Sequence, residues 1–201
     1  MPLHPNALND LDDIKEYFDD SPDRGIAISL PAILDNRVTS ILKAIMLPDE
    51  RILNELFSPN RALGSFKAKV DLIYLLGLID KEFYQDLTVI NKIRNRFAHD
   101  VAIKELEKHP IGTWIKDMGV YRGLVAMRDR PNDPSDTPEA KAANFAKALM
   151  TVELDTMRNG FRNCIRFMIV RLNEIEQTLL AHKEAHLKAR AAQAKKSSDG
   201  G

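Results

Sequence analysis

A chain of 201 residues with 44% hydrophobic side chains is long enough for one domain with a real core, or one domain and a tail. Its 29 basic and 29 acidic residues cancel, which excludes the Lys/Arg excess behind strong non-specific binding to nucleic acid but not a local basic patch. The one cysteine, Cys164, excludes an internal disulfide; with no signal-peptide pattern and no run near the ~20 apolar residues of a membrane span, the chain reads as cytoplasmic.

The first expected element is an acidic helix within residues 1–20. Leu8, Leu11, Ile14 and Phe18 form its apolar stripe, and Asp10, Asp12, Asp13, Glu16, Asp19 and Asp20 make the rest a solvated face. Ser21-Pro22-Asp23 reads as a helix start: a capping Ser, Pro at the first position, and an acid near the positive end of the dipole. Ile26, Leu30, Leu34, Val38, Ile41 and Ile45 carry that helix to about Leu47, where Pro48 ends it. Pro31 inside it predicts a kink or a split, because it removes a backbone donor. A short helix over 49–57 follows, with Ile52, Leu53, Leu56 and Phe57 expected to face inward. Ser65 caps a helix through about Leu76, and Gly77 predicts a left-handed stop. Asp80 caps the next helix, which runs to His99.

Residues 109–136 form an irregular insertion in this reading. Gly112, Gly119, Gly123, Pro131 and Pro134 punctuate it, Trp114, Met118, Tyr121 and Leu124 anchor it, and 123–127 is a strand candidate. Thr137-Pro138-Glu139 opens the last helical region, and Gly160 predicts a break in it. The stripe Phe161, Ile165, Met168, Leu172, Ile175, Leu179 alternates steps of four and three, the spacing of a helix that packs along its length against another. That seam supports a homodimer, although it can equally bury itself within one chain. Beyond Leu180 the chain turns basic and alanine-rich. Residues 183–201 read as a disordered tail, and Lys183, Lys188, Arg190, Lys195 and Lys196 are its candidates for nucleic-acid contact. The fold class is all-α: a single-domain helical bundle over 21–182 with a long C-terminal helix.

The stretch Leu87–His99 holds the candidate site. Leu87, Ile90 and Phe97 recur at helical spacing with Arg94 on the same stripe, and a guanidinium in a buried seam needs a partner. In the structural reading Arg94 pairs with Asp71, which sits mid-helix among apolar neighbours, and His99 closes its helix at the negative dipole end. In the functional reading His99 moves a proton and Arg94 holds a phosphate, with Asn95 on the face of His99. On a continuous helix Arg94 and His99 lie about 140° apart, so sharing one phosphate needs a helix end between them or a second protomer. Cys164 reads as a buried thiol. His182 and His186 have helix spacing but no third ligand, so no metal is expected. No cofactor is expected either: a phosphate-cradling glycine loop, a nucleophile elbow and a CxxC pair are all missing from the sequence.

Three blocks carry a resemblance. They are Asp23-Arg24-Gly25 with Leu34-Asp35; Leu63-Gly-Ser-Phe-Lys-Ala-Lys-Val-Asp71 with Leu76-Gly-Leu-Ile79; and Ile93-Arg-Asn-Arg-Phe-Ala-His99. Together, over roughly residues 20–105, they resemble the mannitol operon repressor (MtlR) family. The resemblance implies an all-helical bacterial repressor of sugar-uptake genes, without a recognisable helix-turn-helix, that acts through protein partners. The last block also resembles the Arg-Asn-x-x-x-His signature of the HEPN superfamily, which implies an alternative: a metal-independent ribonuclease or toxin–antitoxin component using Arg94, Asn95 and His99. Pro31, the long 109–136 segment and the basic tail depart from the MtlR pattern. What carries over is therefore the class of regulator, not the operon.

Overall fold

A computed structural model describes residues 21–129 and 154–198, with side chains through Lys188 apart from residue 187. The acidic stretch 1–20, Pro131, Pro134 and the helix start expected at Thr137 lie outside these residues. The described residues are all-α: α1 (Asp23–Ile45), α2 (Glu50–Phe57), α3 (Phe66–Leu75), α4 (Lys81–His99), α5 (Ile111–Asp117), α6 (Gly119–Asp129) and α7 (Met157–Ser198).

The period of α1 puts Ile26, Ala27, Leu30, Leu34, Val38, Ile41 and Leu42 on buried faces, and α1 packs against α7, α4 and α3. Pro31 does not split it: the helix is continuous, and the ring is itself buried. One missing backbone bond costs less than uncovering the apolar stripe on either side of it. The helix start also differs from expectation. Pro22 takes the cap position and no side chain caps the first turn. Asp23 instead reaches outward, accepting the Leu106 N–H at 2.9 Å and pairing with Arg158 at 3.2 Å. Arg158 also donates to the Ser21 carbonyl, and Arg24 donates to the carbonyls of Asp100 at 3.1 Å and Ile103 at 3.4 Å. Asp23 and Arg24 thus clamp the start of α1 to the start of α7 and to the loop after α4.

Helices α1 and α7 run parallel. Arg158 meets Asp23 near their starts, Glu176 accepts from Ser40 further along, and Lys183 Nζ donates to the Ala44 carbonyl at 2.8 Å near the end of α1. Of the α7 stripe, Phe161, Ile165, Met168 and Leu172 are fully buried within the chain, while Ile175 and Leu179 are half-buried. Gly160 is no break; it lies inside α7. A Cβ there would stand 2.6 Å from Tyr121 Cε2, so the missing side chain is what lets α7 cross α6. The expected disordered tail is also corrected, since α7 continues as helix through Ser198. Alanine and lysine are good helix formers, and a composition that cannot build a core can still extend a helix already nucleated.

Local signals placed the next elements well. The Ser65 hydroxyl accepts the Ala68 N–H at 3.1 Å and starts α3. Gly77, at φ +70°, ends it: Leu78 N–H reaches the Ile73 carbonyl at 3.0 Å and Gly77 N–H the Tyr74 carbonyl at 2.9 Å, the paired bonds of a Schellman motif. Asp49 and Asp80 cap α2 and α4. The inward packing expected of α2 is partial: Leu56 and Phe57 are half-buried against the core, whereas Ile52 turns outward. None of its residues is buried, Ile52 is 51% exposed, and Leu47 in the preceding loop is 85% exposed. An amphipathic pattern shows which face avoids water, not that a neighbour covers it.

The segment 109–136 is corrected furthest. Its described part forms α5 and α6, and the strand candidate at 123–127 is the middle of α6. Ile111, Ile115, Met118, Val120, Tyr121 and Leu124 are buried. The N-terminus of α6 is held by Asp86 of α4, whose carboxylate accepts the N–H groups of Gly119 at 2.9 Å and Val120 at 2.8 Å. This cap comes from another helix, so no local sequence signal announces it.

Candidate functional site

The buried face of α4 is Phe83, Asp86, Leu87, Ile90, Ile93 and Phe97. Ile93, not Arg94, takes the seam position. Arg94 sits half-buried at the edge of the stripe, and its Nε has no hydrogen-bond partner among the described residues. The expected pair of Asp71 with Arg94 is not formed. Asp71 instead binds Lys67, one turn back on α3, and accepts the Tyr84 hydroxyl at 3.0 Å. The Asp71 bond is the main reason the Lys67 ammonium is held above its ordinary pKa. The buried cation among the described residues is Lys69, which pairs with Asp35 of α1 and donates to the Thr39 hydroxyl at 2.9 Å.

The outer face of α4 carries Thr88, Asn91, Lys92, Asn95 and His99, spaced three and four apart so that they form one polar stripe. They floor an open groove of about 740 Å³, with Lys67 and Trp114 as walls and Arg96 and Asp100 at one end. The Lys92 ammonium lies 3.6 Å from the centre of the half-buried Trp114 ring, a close cation–π contact. Arg96 is paired with Asp100 at 3.1 Å. Asn95 and His99 therefore share this groove, as their spacing indicated, while Arg94 does not line it. His99 and Arg94, expected as proton-transfer group and phosphate clamp, thus do not share the groove within the chain. Sequence reasoning found Asn95 and His99 but missed Lys92, Lys67 and Trp114. The Thr88-to-His99 stripe was legible as spacing, but nothing local shows that α3 and α5 wall it.

The other candidates resolve plainly. Cys164 is fully buried, and burial pushes its thiol far up, so thiolate is not available. His182 and His186 are exposed, and no cluster of three metal-ligating side chains occurs among the described residues. Lys183 and Lys188 are exposed on α7, the latter 3.8 Å from Glu184. No described helix is long and apolar enough to cross a membrane.

The described residues define a helical-bundle protein with a polar groove on α4 that gathers Lys67, Lys92, Asn95 and His99. The mannitol repressor family profile matches residues 10–173, and the chain belongs to that family. Its fold is similar to a chain in the X-ray structure of the MtlR–HPr complex from Escherichia coli, with TM-score 0.59 and 17% identity over 84% of this chain and 99% of that one. It is also similar to a possible transcriptional regulator, YggD, from Shigella flexneri, with TM-score 0.55 and 18% identity over 81% of this chain and 96% of that one. No curated protein matches the sequence.

Proposed function

We propose that this chain is a non-enzymatic, cytoplasmic regulator that represses sugar-uptake genes and acts through a protein partner. Family membership carries this reading, joined to a similar fold solved in complex with HPr. The surface supports it. Ile45 at the end of α1, Leu47 in the loop that follows and Ile52 on α2 are 39%, 85% and 51% exposed, so one short segment presents three large apolar groups to solvent, a feature that suits protein docking. The ribonuclease alternative gains no support, because Arg94 stands outside the groove that holds Asn95 and His99.

Calorimetric titration of the full-length chain with HPr from its own host tests the partner. Saturable binding is expected, weakened about tenfold or more by Leu47→Glu or Ile52→Glu if those residues are central anchors. No heat at about 100 μM, where even a weak transient complex registers, counts against the partner reading.

A further inference from the structure

We propose that the groove on α4 is a small-ligand site for the phosphate ester of a linear polyol. Its volume of about 740 Å³ falls in the range of roughly 300–1,000 Å³ typical of small-molecule sites. Its lining suits a chain of hydroxyl groups. Asn91 and Asn95 each offer a donor and an acceptor, and the Thr88 hydroxyl, which donates to the Tyr84 carbonyl at 2.9 Å, offers an acceptor. Trp114 supplies an apolar face for C–H bonds, at present covered by the Lys92 ammonium.

The charges set how much anion the groove can take. Lys67 is bound by Asp71 and Arg96 by Asp100, whereas Lys92 makes no ion pair among the described residues. One unpaired ammonium matches a single phosphate group. A nucleic-acid strand needs several free cations along its length, which this groove does not have. On binding, Lys92 swings from the Trp114 ring to the phosphate, and the carbon chain takes its place on the indole. The choice of a hexitol ester rests on the sugar-regulator reading; the need for one anionic head and a row of hydroxyls rests on the groove.

The test is titration of the full-length protein with mannitol 1-phosphate, mannitol and inorganic phosphate as separate arms. It is followed by calorimetry and by the fluorescence of Trp114, the chain's one tryptophan. A ligand of this size is expected to bind with a Kd of about 0.1–1 mM, and each half-ligand at least about tenfold more weakly. Lys92→Met should weaken the ester about tenfold and leave mannitol unchanged, while Asn95→Ala should weaken both. Both side chains are exposed, so circular dichroism melts should show both variants folded, with Lys92→Met lower by no more than a few degrees for its lost, exposed cation–π contact. Three results overturn the proposal: no response to mannitol 1-phosphate at about 10 mM, far above the expected Kd; inorganic phosphate binding as tightly as the ester, which means an adventitious ion only; or both variants binding the ester as the wild type does. A failure here leaves the HPr titration untouched, and ester binding without HPr binding retains the site while removing the partner reading.

Discussion

Asp86 offers a sharp test of how α4 positions α6. It is 3% exposed, on the core face of α4, and its carboxylate takes two first-turn N–H groups of α6. Asp86→Ala strands both donors in the interior, at about 1–3 kcal/mol each. A small cleft of about 170 Å³ beside Glu82, Gly119 and Val120 lets water reach the site in part, which favours the lower half of that range. The expected loss is therefore about 2–4 kcal/mol, or about 5–15 °C in Tm for a chain of this size. Asp86→Asn keeps one acceptor oxygen and should lose about half as much. The pH dependence has a definite sign. Burial raises the Asp86 carboxyl above its ordinary pKa, against the opposing pull of the Val120 and Gly119 N–H groups. The folded chain then takes up the proton before the unfolded one does. This contribution to stability is fully present below the unfolded carboxyl pKa near ~4 and is lost as pH rises through the folded value. Urea unfolding at several pH values should therefore show wild type gaining on Asp86→Asn as the pH falls. An Ala variant within about 0.5 kcal/mol of wild type, the range of ordinary surface changes, refutes the capping role. A wild-type advantage over Asn that grows with rising pH refutes the linkage.

Asp80 should behave in the opposite sense. The Phe83 N–H holds its carboxyl below the ordinary range, helped by Arg171, so its contribution is present above the unfolded pKa and is lost as pH falls through the folded one. Asp80→Ala should cost about 1 kcal/mol at neutral pH, and urea midpoints should converge with wild type in acid. Gly160→Ala should destabilise by about 1–2 kcal/mol, as overpacking against Tyr121 outweighs the gain in helix propensity. In a Tyr121→Ala background the same change should be neutral or stabilising, and thermal melts of the four chains read the difference. Cys164 should resist a thiol-specific reagent in the native protein and react promptly in urea; fast native labelling contradicts its burial.

What was legible in the sequence was local. Ser65, Asp80 and Gly77 carry their own structural meaning, because each satisfies backbone groups within its own helix end. That α7 packs along another helix follows from its long apolar stripe, whereas the neighbour, α1, and the parallel direction come only from the tertiary contacts. The illegible parts are tertiary. Glycines made 109–129 look irregular, whereas a carboxylate from α4 nucleates α6 there. Arg94 and Ile93 are neighbours in sequence, about 100° apart on the helix, and the stripe alone did not decide which one points inward. The buried Lys69–Asp35 pair joins two helices, and each residue alone reads as surface. For the site, α4 spacing brought Asn95 and His99 together on paper, but Trp114 and Lys67 arrive from other elements.

The central claim is that the chain represses sugar-uptake genes, and transcript abundance tests it most directly. A host strain lacking the gene, beside the same strain with the intact gene restored, is grown with and without mannitol. Sugar-uptake transcripts are expected to rise in the deletion strain without mannitol and to fall back on restoration. No change in any sugar-transport transcript under either condition contradicts the claim.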